Sequence, residues 1–209
     1  MDATHGAQTR LVSWLGPDPE RIDSASVQLL DDRLEAHGTS TCRGWMLTYR
    51  LWTDAAWITR RLDVRIATDA GTRTLALRRG DDERWSAQRH DAPTDDDATV
   101  RPLQLPELDG ALDCDLGLCP LTNTMPVLRE GLLAAAHAGQ PRRISLRVAW
   151  VSVPELEVSL SEQHYAVAAP VVAGGALIRF SAGDFVSDIE VDRDGLVVDY
   201  PSIGRRIHP

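Results

Sequence analysis

The sequence predicts a mainly β fold: a large antiparallel, barrel-like sheet with long strands and little helix. Three observations carry this. About ten runs of alternating apolar and polar residues recur along the chain, separated every 8 to 12 positions or so by turn residues. β-branched and aromatic residues concentrate in those runs. No segment keeps a helical period long enough for α/β winding. The 209 residues suit an irregular N-terminal arm over 1–24, in which only Leu11, Val12 and Trp14 could anchor the chain, followed by a single domain over 25–209.

Alternation begins at Val27 and runs to Leu34, with Gly38 to Ser40 as a turn. From Cys42 to Trp52 a strand sets Trp45, Leu47, Tyr49 and Leu51 on one face and Met46, Thr48, Arg50 and Trp52 on the other. After Asp54 a long strand reaches Ala67, with Ile58, Leu62, Val64 and Ile66 in phase. Thr68 to Gly71 is a hairpin signal, Thr72 to Leu77 returns, Asp81 to Glu83 turns, and Trp85 opens another strand. His90 to Ala98, with Pro93 and the triplet Asp95 to Asp97, is expected to be a loop. Leu112 to Leu116 alternates strictly. Val127 to His137 carries the alanines and leucines of a short helix but could also be extended. Strands resume at Ile144 to Val153, Leu156 to Leu160, Tyr165 to Val172, Ala176 to Ser181, Phe185 to Val191 and Leu196 to Tyr200. A faint internal echo links Tyr49…Gly71 with Ile178…Gly195, each a strand, an aromatic and a strand ending in a D-G or D-x-G turn. It admits a two-fold internal duplication.

Composition excludes several functions. The net charge of −9 argues against nucleic acid, whose binding needs clustered cations. All 22 basic residues are arginine, scattered along the strands. Residues 1–21 hold no apolar run of signal-peptide type, and nothing approaches the roughly 20 apolar residues of a spanning helix. Cys42, Cys114 and Cys119 form no C-x-x-C pair. They suit a reducing compartment, so a cytoplasmic location is expected.

The densest chemistry lies at 112–126. Leu112, Cys114 and Leu116 make a dry face opposite Asp113 and Asp115, for which a solvated acidic face is the simplest reading. Gly117 and Pro120 stop the pairing. Thr122, Asn123 and Thr124 can each bond nearby backbone, and Met125-Pro126 closes the run as a built corner.

This run, D-x-D-L-G-x-x-P-x-T-N-T-x-P followed by a basic residue, resembles the signature of the glycolipid-binding family of bacterial proteins, named "putative" for its ligand. Three further blocks carry the resemblance: Tyr49-Arg50-Leu51 with Asp54, Trp57, Thr59, Arg60 and Arg61; Ala149-Trp150-Val151 with Pro154 to Val158 and Gln163-His164-Tyr165; and Val191 to Pro201. The resemblance implies a large, long-stranded, barrel-like fold and a glycolipid-type ligand. It favours extended chain over 127–137.

No catalytic motif stands in the sequence: no G-x-S-x-G, no phosphate loop, no H-E-x-x-H and no G-x-G-x-x-G. The six histidines, His5, His37, His90, His137, His164 and His208, are widely spread, and neither a metal site nor a cofactor is expected. Six tryptophans against two phenylalanines and three tyrosines favour the edge of an amphiphile pocket, because indole and phenol join an apolar body to a polar tip. The candidate ligand-binding residues are therefore Trp45, Tyr49, Trp57, Arg60, Asp113, Asp115, Asn123, Trp150 and Tyr165. One of Arg60 and Arg61 would face Asp113 and Asp115 or a ligand head group.

The leading reading is a binding protein for an amphiphilic small molecule or lipid. Its tail would lie in an apolar barrel interior and its head at a polar rim near Arg60, Asn123 and Tyr165. The alternatives are an enzyme on a small hydrophobic substrate using Asp113 or Asp115 as acid or base, and a packed structural barrel without ligand.

Overall fold

Fifteen strands join one continuous sheet in the computed structural model, which describes residues 8–93, 99–102, 105 and 108–207. They are β1 (Gln8–Pro17), β2 (Glu20–Leu29), β3 (Leu34–Cys42), β4 (Trp45–Thr53), β5 (Thr59–Thr68), β6 (Gly71–Arg79), β7 (Trp85–Pro93), β8 (Thr99–Pro102), β9 (Asp113–Leu116), β10 (Arg143–Val151), β11 (Val158–Val171), β12 (Gly175–Ala182), β13 (Phe185–Val191), β14 (Val197–Tyr200) and β15 (Gly204–Ile207). The spatial order is β8-β7-β6-β5-β4-β3-β2-β1-β15-β14-β13-β12-β11-β10-β9. Each strand thus pairs with its sequence neighbour, except where β1 meets β15 and where the sheet ends at β8 and β9. The mainly β, antiparallel expectation holds, and pairing does not close the sheet. Its β9 end instead reaches the start of β5: the Thr59 amide donates to the Leu112 carbonyl at 3.0 Å, and the Cys114 amide to Thr59 Oγ1 at 3.1 Å.

One pairing breaks the antiparallel rule. β9 runs parallel to β10, with Asp113 opposite Val148 and Asp115 opposite Trp150. A parallel pair needs a crossover of a dozen residues or more, usually helical. That need settles 127–137 as helix: α1 (Thr124–Arg129) and α2 (Leu132–His137) carry the chain between the two strands. The extended conformation implied by the resemblance is wrong there, and the alanine-rich composition is the better guide.

Residues 8–24 are not an irregular arm. They form β1 and the first half of β2, two of the longer strands in the sheet. The alternation is disguised because polar residues point inward. On β2, Arg21 and Asp23 are buried while Ile22 between them is 55% exposed. On β1, Val12, Trp14 and Gly16 face in while Leu11 and Leu15 face out. The expected turn at Gly38 to Ser40 also fails. Gly38 sits in the middle of β3 opposite Tyr49, and a Cβ there would lie 2.5 Å from the tyrosine ring. This glycine makes room for an aromatic and marks no turn. The segments Leu156–Leu160 and Tyr165–Val172 are largely parts of one strand, β11, and His90 to Pro93 belong to β7 rather than to a loop. The triplet Asp95 to Asp97, like His5 and His208, lies outside the described residues.

The two echoing segments are both antiparallel hairpins, with Tyr49 opposite Val64 and Ile178 opposite Ile189. They share hairpin form with registers two positions apart.

Two apolar clusters result. Strands β1–β7 pack Leu34, Leu51, Leu62 and Leu77 against Leu116, Leu121 and Met125 from the chain around the corner. Strands β11–β14 pack Tyr165, Ile178, Phe180 and Ile189 against Val127, Leu132 and Ala136 of the helices. Equilibrium unfolding in urea, followed by tryptophan fluorescence and by far-UV circular dichroism, is expected to give one coincident transition, as a continuous sheet requires. Two separated transitions would show the two clusters to be independent domains.

Candidate functional site

Three of the four residues of β9 are buried and Asp115 is half-buried, so β9 has no solvated acidic face of the kind the alternation suggests. Asp113 is 1% exposed, with Cys114 and Leu116 equally covered on the other side. Each carboxylate has its own partners. Arg129, from the last turn of α1, holds Asp113 by two parallel bonds of 2.6 Å. Desolvation works against the charge on Arg129, but Asp113 and Glu130 outweigh it and hold the guanidinium more firmly protonated. Asp115 accepts from Thr122 Oγ1 and from Gln163 Nε2, both at 2.7 Å.

The Asp115 contacts open a chain of polar groups. Tyr165 Oη lies 3.1 Å from both Gln163 Oε1 and Asn123 Oδ1. Asn123 Nδ2 donates to the Pro120 carbonyl at 3.3 Å, and Thr122 Oγ1 also lies 3.0 Å from the Cys119 carbonyl. Burial pushes the Asp115 carboxyl up, its bonds from Thr122 and Gln163 pull it back, and the nearby charge of Asp113 adds to the rise. Burial likewise raises the Tyr165 hydroxyl well above the usual phenol range.

Beside this network lies a cleft of about 520 Å³, lined by Asp115, Asn123 and Gln163 together with Trp150, Phe180 and Phe185, among others. Exposure varies along the lining. Gln163 and Asn123 are 2% and 5% exposed, while Trp150 and Phe185 are 37% and 39% exposed. The floor thus joins two buried amides and the half-buried Asp115 to the equally deep Leu116, Phe180 and Tyr200, and the two most exposed aromatics, Trp150 and Phe185, stand at the rim. Phe180 anchors the wall, with ring centroids 5.1 Å from Tyr165, 5.9 Å from Tyr200 and 6.1 Å from Phe185, all edge-on.

Behind the corner, Arg21 ties the floor together. Its side chain is fully buried, its Nε lies 3.0 Å from Asp23, and its Nη2 donates to the carbonyls of Leu118, at 2.6 Å, and of Ile203. Both carbonyls belong to cleft-lining residues. Gly16 provides the space, since a Cβ there would run into the Arg21 guanidinium. Leu118 itself takes a left-handed backbone, φ 64°. On the far side, a chamber of about 10 Å³ lies among Asp23, Tyr49 and Cys119, where burial pushes the Cys119 thiol up to about 12.

The cleft therefore gathers Asp115, Asn123 and Trp150, with Tyr165 bonded behind its floor. It leaves out the other candidates. Trp45 and Tyr49 line the small chamber. Trp57 packs on the first cluster. Asp113 is closed off by Arg129. Arg60 pairs with Asp54 at 3.0 Å and Asp81 at 2.7 Å, and Arg61 stacks over Trp52 at 4.7 Å, so neither meets Asp113 or Asp115. Gln163, Thr122, Arg129, Phe180, Tyr200 and Arg21 were missed. Gln163 shares a strand face with Tyr165, and Arg129 is the basic residue after the signature; either could have been found from those relations. Among the described residues no three His, Cys, Asp or Glu side chains gather as a metal site, and no helix is long and apolar enough to cross a membrane.

The fold defines the class: a long, unclosed antiparallel sheet with a helical crossover packed against it and an open cleft beside the corner. The sequence model of the family described as "Putative glycolipid-binding" matches residues 11–206, and the chain belongs to that family. The crystal structure of a DUF1089 family protein from Pseudomonas aeruginosa is similar, with 30% identity over 88% of this chain and 92% of that one and a TM-score of 0.60. No protein of curated description matches the chain.

Asn123→Ala is expected to lower stability by about 1–3 kcal/mol, because Tyr165 Oη and the Pro120 carbonyl lose a buried partner. The midpoint of urea unfolding measures it, and an unchanged midpoint would exclude a structural role for the amide. Asp115 gives a pH signature. A carboxyl raised in the folded state makes that state bind its proton more tightly than the unfolded chain does. Its contribution therefore grows as pH falls through the folded pKa, and is complete below the unfolded value of about 3.9. Asp115→Asn cannot titrate, so the native protein should gain on this variant between pH 7 and pH 4. A constant difference in urea midpoints across that range would contradict the raised carboxyl.

Proposed function

We propose that the protein binds an amphiphile whose polar head enters the cleft first and whose apolar tail leaves across the aromatic rim. The observation that carries this reading is the placing of the polar groups: the amides of Asn123 and Gln163 are buried beside the half-buried Asp115, and the most exposed aromatics, Trp150 and Phe185, stand at the rim. It differs from the arrangement expected from the sequence, in which a tail fills a barrel interior. Amides and a carboxylate at the floor offer donors and acceptors together, the chemistry that hydroxyl groups require. An indole at the rim suits both a sugar face and the first methylenes of a tail. Membership of a family described as glycolipid-binding supports a sugar-bearing head. The volume falls within the range of about 300–1,000 Å³ common for small-molecule sites. A reducing compartment such as the cytoplasm suits the three thiols, which are free in the structure.

An enzymatic use of the two aspartates is less favoured, since Asp113 neither lines the cleft nor lacks a partner. In a series of alkyl glucosides displacing an environment-sensitive probe, each added methylene is expected to tighten binding by up to about fourfold, from about 0.8 kcal/mol per buried methylene, until the rim is covered. Beyond that length the response should level off. Ala182→Trp, which narrows the cleft wall, should abolish binding. A flat response from the shortest tail, or binding untouched by Ala182→Trp, would overturn the assignment.

A further inference from the structure

We infer that the cleft selects an uncharged, polyhydroxylated head group and rejects anionic ones such as phosphate, sulfate or carboxylate; this rests on the amphiphile reading above. The inference comes from the charges at the floor. Among the described lining residues Asp115 is the one carboxylate, and no arginine or histidine stands with it. The cation nearest in the network, Arg129, is engaged by both oxygens of Asp113 and by Glu130. Arg21 lies behind the corner, bonded to the carbonyls of Leu118 and Ile203 and paired with Asp23. No counter-charge is left for an incoming anion, which would meet a carboxylate in a poorly solvated site where like charges repel strongly.

The same set suits hydroxyls. Asp115 accepts one bond on each oxygen, from Thr122 and Gln163, and retains lone pairs directed away from them. Asn123 Nδ2 has one hydrogen on the Pro120 carbonyl and another to give. Gln163 Nε2 has one on Asp115 and likewise another. A sugar hydroxyl donates to the carboxylate and accepts from an amide, so neighbouring hydroxyls satisfy the floor without bringing charge into it. Ser159 and Ser161, on the same face of β11 and in the cleft wall, extend this neutral polar surface.

The test compares head groups on one tail: octyl glucoside, octyl phosphate and octyl trimethylammonium, each below its micellar concentration, displacing the same probe from the full chain at pH 7. Octyl glucoside is expected to bind at least about 30-fold more tightly than octyl phosphate, since like-charge juxtaposition costs that much or more. Asp115→Asn should narrow that ratio to within a few-fold by tightening the phosphate and weakening the glucoside. The amide replacement is sterically mild, and Thr122 can accept from it while donating to the Cys119 carbonyl. A role of Asp115 in shape alone would weaken both probes together, which would overturn the inference. Ser161→Arg gives an independent readout should the first variant not fold: a cation placed in the wall should raise the affinity for octyl phosphate relative to octyl glucoside by about 10-fold or more, and an unchanged ratio would overturn the inference. Octyl phosphate binding the native protein within threefold of octyl glucoside would overturn the selectivity, as would a preference for octyl trimethylammonium over the sugar. Failure of all three probes to bind would instead overturn the amphiphile reading.

Discussion

Two carboxylates on a four-residue strand, one buried and one half-buried, set the terms for everything around the corner. An ionised carboxylate moved into a protein interior costs several kcal/mol unless partners replace its hydration. Asp113 obtains a whole guanidinium, which requires α1 to end with Arg129 facing back over β9. Asp115 obtains a hydroxyl and an amide, which requires the chain to turn at once so that Thr122 returns to the strand it has just left, and requires β11 to present Gln163 across β10. The crossover helices, the sharp corner and the long β11 are thus linked through two side chains. The parallel register of β9 on β10 belongs to the same solution, since it brings Asp115 level with Trp150 and leaves the helical return as the way into β10.

Much of the sheet was legible because several of its strands obey a simple rule. In β4 to β6 and in β13, apolar residues alternate with polar ones and turn residues punctuate the runs, so faces and boundaries follow from the pattern. The rule fails where burial and polarity part company. Arg21 and Asp23 are polar and inside while Ile22 is apolar and outside, so β2 gives no usable alternation at its start. Gly38 has the look of a turn only when the ring that needs its space is unknown. The site divides in the same way. Asp115 and Asn123 stand out because polar residues crowd the corner, whereas Arg129 and Gln163 acquire meaning only once the fold brings them to Asp113 and Asp115. Trp57 and Arg60 carry the same residue chemistry as Trp150 and Arg129, and nothing local in the sequence reveals that they point elsewhere.

The floor is also cross-bonded, and that bears on what the proposed site would bind. Gln163 and Asn123 share the Tyr165 hydroxyl, Thr122 bridges Asp115 and the Cys119 carbonyl, and Arg21 holds Leu118 and Ile203 from behind. A flexible amide or hydroxyl loses rotamer freedom when a ligand fixes it, at about 0.5–1.5 kcal/mol for each immobilised side chain. Here folding has already fixed them, with the left-handed backbone of Leu118 held by a buried guanidinium. A ligand meeting such a floor gives up mainly its own freedom and the water it displaces. The consequence is discrimination: a floor that cannot rearrange cannot supply a cation to an anionic head or withdraw its carboxylate from one. The rim is built on the opposite principle, since Trp150 and Phe185 offer broad apolar faces with no fixed polar geometry, and a tail of any detailed structure can lie against them. On the proposed reading, selectivity would come from the bonded amides and carboxylate, and tolerance of the tail from the exposed faces of Trp150 and Phe185.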